Sequence, residues 1–473
     1  MPLTILSDEN VKEVLNSLTK EDAATLQIAM RNSLHEYATG TTNSGACADN
    51  QPKRTVIESA STGTTTLFMP SISSSSLGIK VVTLASPSSN SEAAKTEKAD
   101  ATPYGAISLM DSNGKPFGFL NAEEITAFRT ALASSLLMLR RTKVKTITVF
   151  GTGKQAYWHV RLALLLRGST IKNVHFINRD FNDRAAKIMK SFVTYEQATK
   201  RTEGWMDTQF DLASLKYTEI DRILKQRLRT SDMIICTTPA TEPLFDHTIL
   251  TNTEGRMRPR LIIAIGSYKP HMIEVPTEVV TQAIKVHGAG HHFHKRAEEG
   301  GVIVVDTLEC LKEAGELVQA GVRSDRTVEL GELVMLDLMH PHDDDSPIED
   351  SPPSSVNELS ISPDGVKSMS KIFGDSSIDN PGSSSKSPSR KSSFTLNRKP
   401  SFSLRSSRSA SVSSQSGRKK KEQTEREDQM SRWLSNGNVI YKSVGMGLMD
   451  LVVGGEVIKL ARAKNIGTTV HNF

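Results

Sequence analysis

The stretch Lys145-Thr146-Ile147-Thr148-Val149-Phe150-Gly151-Thr152-Gly153-Lys154-Gln155-Ala156-Tyr157-Trp158-His159-Val160 reads as a β-strand, a glycine turn and the opening of a helix. Gly151 permits the tight turn, Gly153 lets a diphosphate approach the backbone, and Ala156 lets the helix lie close to the strand. The start of such a helix presents free N–H groups and the positive end of its dipole to phosphate. An alternating apolar strand precedes the glycines, a helix-like run from Tyr157 to Leu166 follows, and Asn173-Val174-His175-Phe176-Ile177-Asn178 completes a β-α-β unit. A dinucleotide site is therefore expected, with Gly151, Thr152, Gly153, Gln155 and Ala156 around the diphosphate.

The end of the second strand bears on which dinucleotide binds. An acidic residue there would accept hydrogen bonds from the adenine ribose and repel a 2′-phosphate. This chain instead has Asn178-Arg179, a neutral amide and a forked, permanently charged donor, which points to NADP(H) in preference to NAD(H). Asp180 comes one residue late and is a candidate cap for the helix that follows.

Composition sets the outer bounds. With 473 residues the chain exceeds one average domain, and two folded domains plus disordered segments are expected. Cys47, Cys236 and Cys310 are far apart, form no metal-ligand pattern and suit a reducing compartment. The first residues lack a basic region followed by a long apolar run, so a cytoplasmic protein is expected. The formal charge of +5 comes largely from one low-complexity tract, and no nucleic-acid motif is present.

Along the chain, Asp8 is a plausible cap for a first helix, and a second is expected from Glu21 to Tyr37. Strands are expected at 54–58, 64–69 and 77–82, with a loop from Pro70 to Ser76 and a flexible insertion at 86–102. Ala106–Met110 and Pro116–Leu120 flank Asp111-Ser112-Asn113-Gly114-Lys115, where Asn-Gly favours a primed hairpin turn. A long helix from Ala122 to Leu139 then leads into the dinucleotide unit. Apolar runs at 233–237, 261–266 and 302–306, between helical segments, indicate a parallel sheet covered on both faces. The fold class is thus α/β, a Rossmann-like domain at 123–340 and a mixed α+β domain at 1–122.

From 341 to 430 the composition turns acidic, then Ser-rich and basic, and a disordered insertion is expected. Ser393, Ser401 and Ser411 follow basic residues at the spacing basophilic kinases prefer. A strand at Val439–Gly445 and a last helix show that the tract interrupts a fold, which the segment 431–473 completes. His287, His291, His292 and His294 raise the question of a metal, but their Gly-rich flanks read as an inserted loop, and no metal is expected.

Several motifs together resemble the ornithine cyclodeaminase and mu-crystallin family of NAD(P)-dependent enzymes. They are Thr126-Ala127-Phe128-Arg129-Thr130-Ala131, the glycine turn with His159, Thr237-Thr238-Pro239-Ala240-Thr241-Glu242-Pro243 and Ala264-Ile265-Gly266-Ser267-Tyr268-Lys269-Pro270. Further on come Glu313-Ala314-Gly315-Glu316-Leu317, Glu329-Leu330-Gly331-Glu332-Leu333 and Lys442-Ser443-Val444-Gly445, all in the family's order. The resemblance implies a substrate-binding and dimerisation domain, rejoined by the C-terminal segment, beside a nucleotide domain. The implied chemistry is hydride transfer between the nicotinamide and the α-carbon of a small amino or imino acid.

Arg54, Lys80 and Arg129 match the family's carboxylate clamp, in which a forked guanidinium aims the α-carbon, and Lys80 is placed to share a proton with the imine or amine. Thr237, Thr238, Ser267, Ser443, Val444 and Gly445 match positions at the cofactor. Two positions depart from the family's pattern. Tyr268 stands where cyclodeaminases have an Asp base, and Leu67 where they have the Glu that reads a distal amine. Losing both carboxylates removes the groups that would neutralise a diamine, which favours a ketimine reductase like the mu-crystallin branch. A true ornithine or lysine cyclodeaminase that recycles NAD and releases ammonia is the second reading, and a non-enzymatic NADPH-binding regulatory protein the third.

Overall fold

Strands with one apolar face and strands apolar on both faces sort into two different sheets. The computed structural model describes residues 2–39, 51–59, 61, 64–85, 104–285, 301–334 and 430–473. The stretch 86–102, the His287–His294 cluster, Cys47 and the tract from Pro341 to Gln429 with its kinase-type serines lie outside the described residues.

The first sheet has seven strands: β1 (Leu3–Leu6), β2 (Thr55–Ser59), β3 (Thr64–Ile72), β4 (Ser76–Ala85), β5 (Tyr104–Asp111), β6 (Pro116–Asn121) and, from the other end of the chain, β15 (Thr468–Val470). Their order is β15-β1-β6-β5-β4-β3-β2, antiparallel except for the parallel pair β1 and β6. The second sheet holds β7 (Thr146–Phe150), β8 (Asn173–Asn178), β9 (Gln209–Ser214), β10 (Met233–Cys236), β11 (Leu261–Ala264), β12 (Gly301–Val305), β13 (Thr327–Glu329) and β14 (Asn438–Lys442). It is parallel throughout, in the order β13-β12-β14-β11-β10-β7-β8-β9. Every residue of β7, β10 and β11 is buried, as expected for strands covered on both faces.

Four helices place the site: α1 (Asp8–Asn16), α2 (Lys20–Thr39), α3 (Ala122–Arg140) and α4 (Lys154–Arg167). The C-terminal helix, Gly447–Ala463, packs on the seven-stranded sheet and against α1, α2 and α3. Helix α3 packs on β4 and β5 and also along α4, so it joins the two sheets. It is buried nearly all round, including Glu124 and Arg129, which explains why its apolar residues show no single stripe. None of the helices among the described residues is long and apolar enough to cross a membrane.

The structure corrects several local expectations. The cap of α1 is Ser7, in a reciprocal capping box with Asn10, and Asp8 is the first helical residue. Strand β3 continues through Pro70 to Ile72 where a loop was expected. Its β2 side is unpaired there, because β2 reaches only Phe68, so the missing proline N–H breaks no ladder bond. The hairpin turn is not primed. Gly114 is at φ +79 but Asn113 is not left-handed, and Gly114 N donates to Asp111 O, as in a type I turn followed by a glycine bulge. The C-terminal segment divides between the sheets, with β14 inserted between β11 and β12 and the final helix and β15 joining the other sheet.

Candidate active site

The nucleotide cradle begins at β7. Gly151 is at φ +103, and a Cβ there would stand 2.7 Å from Thr237 Oγ1, so only glycine fits. A Cβ on Gly153, by contrast, would meet nothing within 4 Å, and Gly153 caps α4 without any side-chain hydrogen bond. The first helical bond is donated by Tyr157 N to Gly153 O at 3.0 Å, so the amides ahead of it are left to a ligand. An open, uncapped start of a fourteen-residue helix fits a dinucleotide's diphosphate. Thr152 and Ala156 are buried beneath this turn. Gln155 Nε2 reaches Thr126 O at 3.5 Å, while its Oε1 is enclosed without a partner.

Lys154 anchors the cradle to the rest of the molecule. Its Nζ lies 2.7 Å from Glu124, 2.9 Å from Glu123 and 3.0 Å from Asp8, tying α4 to α3 and α1. Glu124 also accepts from Trp158 Nε1 at 2.6 Å. This network was not anticipated from the sequence.

The C-terminal edges of the parallel strands converge beside Gly151, where open α/β sheets bind ligands. Thr237 donates its N–H and hydroxyl to Phe150 O, at 3.0 and 2.8 Å. Glu274, fully buried, accepts from the amides of Thr238 (2.7 Å), Gly266 (2.6 Å) and Ser267 (3.2 Å), so one carboxylate ties two loops together. Burial pushes the Glu274 carboxyl up to about 7, Lys442 opposing the shift and Glu316 adding to it. The Ser267 side chain is enclosed. Its hydroxyl lies 2.7 Å from Glu316 Oε1 and 2.5 Å from Lys442 Nζ, so only its backbone is near the edge expected to meet the cofactor.

Asp306, at the end of β12, holds the segment 443–445. It accepts from Ser443 Oγ at 2.8 Å and from Gly445 N at 2.7 Å, and Val444 between them is half-buried. Gly445 is at φ +83, and a Cβ there would stand 2.5 Å from Nη1 of Arg129. The nucleotide sheet and the clamp thus touch at this glycine.

Lys80 and Arg129 meet at Asp450, on the C-terminal helix. Asp450 Oδ2 is 2.7 Å from Lys80 Nζ and Oδ1 is 3.3 Å from Arg129 Nε. All three are buried, at 4%, 4% and 1% exposure. Burial pushes the Lys80 ammonium down to about 8, with Asp450 opposing the shift and Arg129 adding to it. Asp450 was absent from the sequence reading, although a single carboxylate inside the apolar run Leu448-Met449-Asp450-Leu451-Val452-Val453 was a signal for it.

The remaining clamp residue stands apart. Continuing the β2–β3 register one residue back from Thr55 puts Arg54 beside Met69, whose neighbour on β4 is Lys80. The guanidinium is turned to Glu313, at 2.6 Å. Leu67, two residues from Met69 on β3, shares the face that carries Lys80. Tyr268 is half-buried, and Lys269 lies over its ring at 5.9 Å.

The family model of the ornithine cyclodeaminase/mu-crystallin family matches residues 10–203. Over that stretch the chain resembles the family. It is 27% identical over 271 residues to a Bacillus cereus Delta(1)-pyrroline-2-carboxylate reductase, covering 56% of this chain and 72% of the relative. The Thermococcus litoralis Delta(1)-pyrroline-2-carboxylate reductase, solved with NADH and L-proline, superposes with a TM-score of 0.57 at 18% identity, covering 99% of this chain and all of that one. The iminosuccinate reductase of Paracoccus denitrificans, solved with NAD+, gives 0.56 at 16% identity, with 100% of both chains covered. These similarities support an NAD(P)-dependent enzyme of the reductase and cyclodeaminase type, acting on small amino or imino acids.

The expected preference for NADP(H) is corrected. The two solved relatives hold NADH and NAD+. At the end of β8, Asn178 Nδ2 donates to Asp180 O at 2.7 Å and the Arg179 side chain is 87% exposed. Asp180 does not cap the next helix, a task done by Asn182. Its carboxylate pairs with Lys216 at 2.5 Å and lies 4.0 Å from Arg179.

Proposed function

We propose that this enzyme reduces a small cyclic imino acid, of the Delta(1)-pyrroline-2-carboxylate type, with NADH. The observation that carries the reading is the buried contact of Lys80, Arg129 and Asp450, which places two cations against one carboxylate beside Gly445. A buried excess of one positive charge is costly unless a ligand supplies the counter-ion, and a monocarboxylate supplies one. Arg129 and Lys80 then hold that carboxylate, and the Lys80 ammonium donates a proton to the imine nitrogen as hydride arrives at the α-carbon. The bound nicotinamide supplies the hydride, and Gly151, Thr152, Gly153 and Ala156 with the edges at Thr237, Thr238 and 443–445 hold the nucleotide.

Leu67 and Tyr268 put no carboxylate where a diamine would need one, which weighs against ornithine. The enzyme acts as a homodimer in this reading, since β2 leaves Val56 and Ile57 half-exposed at a sheet edge, a hazard for a monomer. Loss of NADH absorbance on adding the cyclic imine, without ammonia release, is the expected result. Ammonia from ornithine without net NADH turnover would replace the reading with cyclisation.

A further inference from the structure

Asp450 pairs with both Lys80 and Arg129, and no motif assigned it a role. Its two oxygens divide the work, Oδ2 taking Lys80 and Oδ1 taking the Nε edge of Arg129. Arg129 is held on its other sides as well, with Nη1 at 3.4 Å from Met449 Sδ and both terminal nitrogens against Gly445. The groups facing Lys80 are few: Asp450 from the C-terminal helix, Arg129 and the Thr126 hydroxyl, at 3.5 Å, from α3. Its neighbours across the sheet, Met69 on β3 and Ile107 on β5, carry no charge.

The geometry points to Asp450 as the positioning residue that keeps the Lys80 ammonium protonated in its dry pocket and fixes the edge that Arg129 turns to substrate. This rests on the proposed imine reduction. In that step the C=N bond becomes C–N as hydride bonds to carbon and the Lys80 proton bonds to nitrogen. The nicotinamide is oxidised, and Lys80, left neutral, recovers a proton from water. The Asp450 carboxylate beside Lys80 favours that recovery.

Two readouts on the full-length chain separate this inference from the substrate assignment. The first follows the pH titration of Lys80 by NMR in protein carrying 13C at lysine Cε, the signal assigned by its loss in Lys80→Arg. In Asp450→Asn the titration moves to lower pH by at least about one unit, whereas Asp450→Glu, which keeps the charge, stays near the parent. The second is kcat/KM for Delta(1)-pyrroline-2-carboxylate against pH. Its alkaline limb falls as Lys80 loses its proton, and in Asp450→Asn that limb moves acidward by the same amount while NADH affinity is unchanged. An unmoved titration in Asp450→Asn, or one displaced equally in Asp450→Glu, overturns the inference. If Asp450→Asn fails to fold, Asp450→Glu decides: a Lys80 titration matching the parent, together with a raised KM from a displaced Arg129, supports the inference, and any acidward shift overturns it. A normal Lys80 shift with no imine reduction by the parent protein leaves Asp450 in its role and refutes only the substrate.

Discussion

Arg54 and Glu313 form a 2.6 Å ion pair that links the start of β2 in the seven-stranded sheet to the short helix Cys310–Glu313 beyond β12. The third cation of the proposed clamp is therefore already engaged, and a substrate carboxylate would have to compete for it. With both side chains about 30% exposed, a pair of this kind contributes ~1 kcal/mol or less. Glu313→Gln should lower KM for the imino acid by up to about fivefold with kcat little changed. Steady-state kinetics check it. A raised KM would instead show that Glu313 itself reads a positive group on the substrate.

Open space around Gly153 leads to a prediction about the nucleotide alone. A Cβ there meets no protein atom within 4 Å, so Gly153→Ala should fold with nearly parental thermal stability. The same side chain occupies the face left for the diphosphate. NADH affinity should fall by about tenfold or more, a loss of ~1.4 kcal/mol at the least, as read by calorimetry. Parallel losses of stability and binding would mean that the turn is merely structural.

The Asp180 carboxylate, paired with Lys216 just beyond β8, leads to a prediction about the choice of cofactor. Competition between NADH and NADPH should favour NADH by about tenfold or more in kcat/KM, since a 2′-phosphate would meet that charge. Asp180→Ala releases Lys216 from its 2.5 Å pair and should narrow the ratio, chiefly through KM for NADPH. Equal use of both cofactors by the parent protein would refute the role of Asp180.

The parts of this architecture that were legible in the sequence are those written in local pattern. Gly151 and Gly153, the apolar runs of β7, β10, β11 and β12 and the helix Ala122–Arg140 each carry their own signal within a few residues. The site is less legible because its decisive contacts are long-range. Lys80 and Asp450 are 370 positions apart, and Asp306 meets Gly445 across 139. Ser267 shows the opposite error. It sits on the anticipated strand edge, but the buried Glu316 and Lys442 claim its hydroxyl, and nothing in its neighbours along the chain signals that. Arg179 was read as a phosphate ligand from its type and its place after β8, while its side chain is 87% exposed and lies 4.0 Å from Asp180. The strands β1 and β15 are short, and β15 has no buried residue, so neither shows the alternation that marks β5 and β6.

His159 ties stability to pH. Its ring is fully buried between α3 and α4, with Nε2 2.9 Å from Ser134 Oγ and Nδ1 2.7 Å from Gln155 O. Burial pushes the imidazole from 6.5 down to about 4, partly opposed by the bond to Gln155 O. A folded-state value below the unfolded one means that the unfolded chain binds more protons between those limits, so stability is complete above about pH 6.5 and is lost as pH falls towards 4. At ~1.4 kcal/mol per unit, the increment is roughly 3 kcal/mol. His159→Asn should lose stability at neutral pH through its two hydrogen bonds, each contributing ~1 kcal/mol. It should also show a flatter dependence of Tm on pH across this window, because the ring that must stay neutral is gone. Thermal melts of both proteins from about pH 7 down to about pH 5 measure the difference. Parallel curves would place the acid sensitivity elsewhere in the fold.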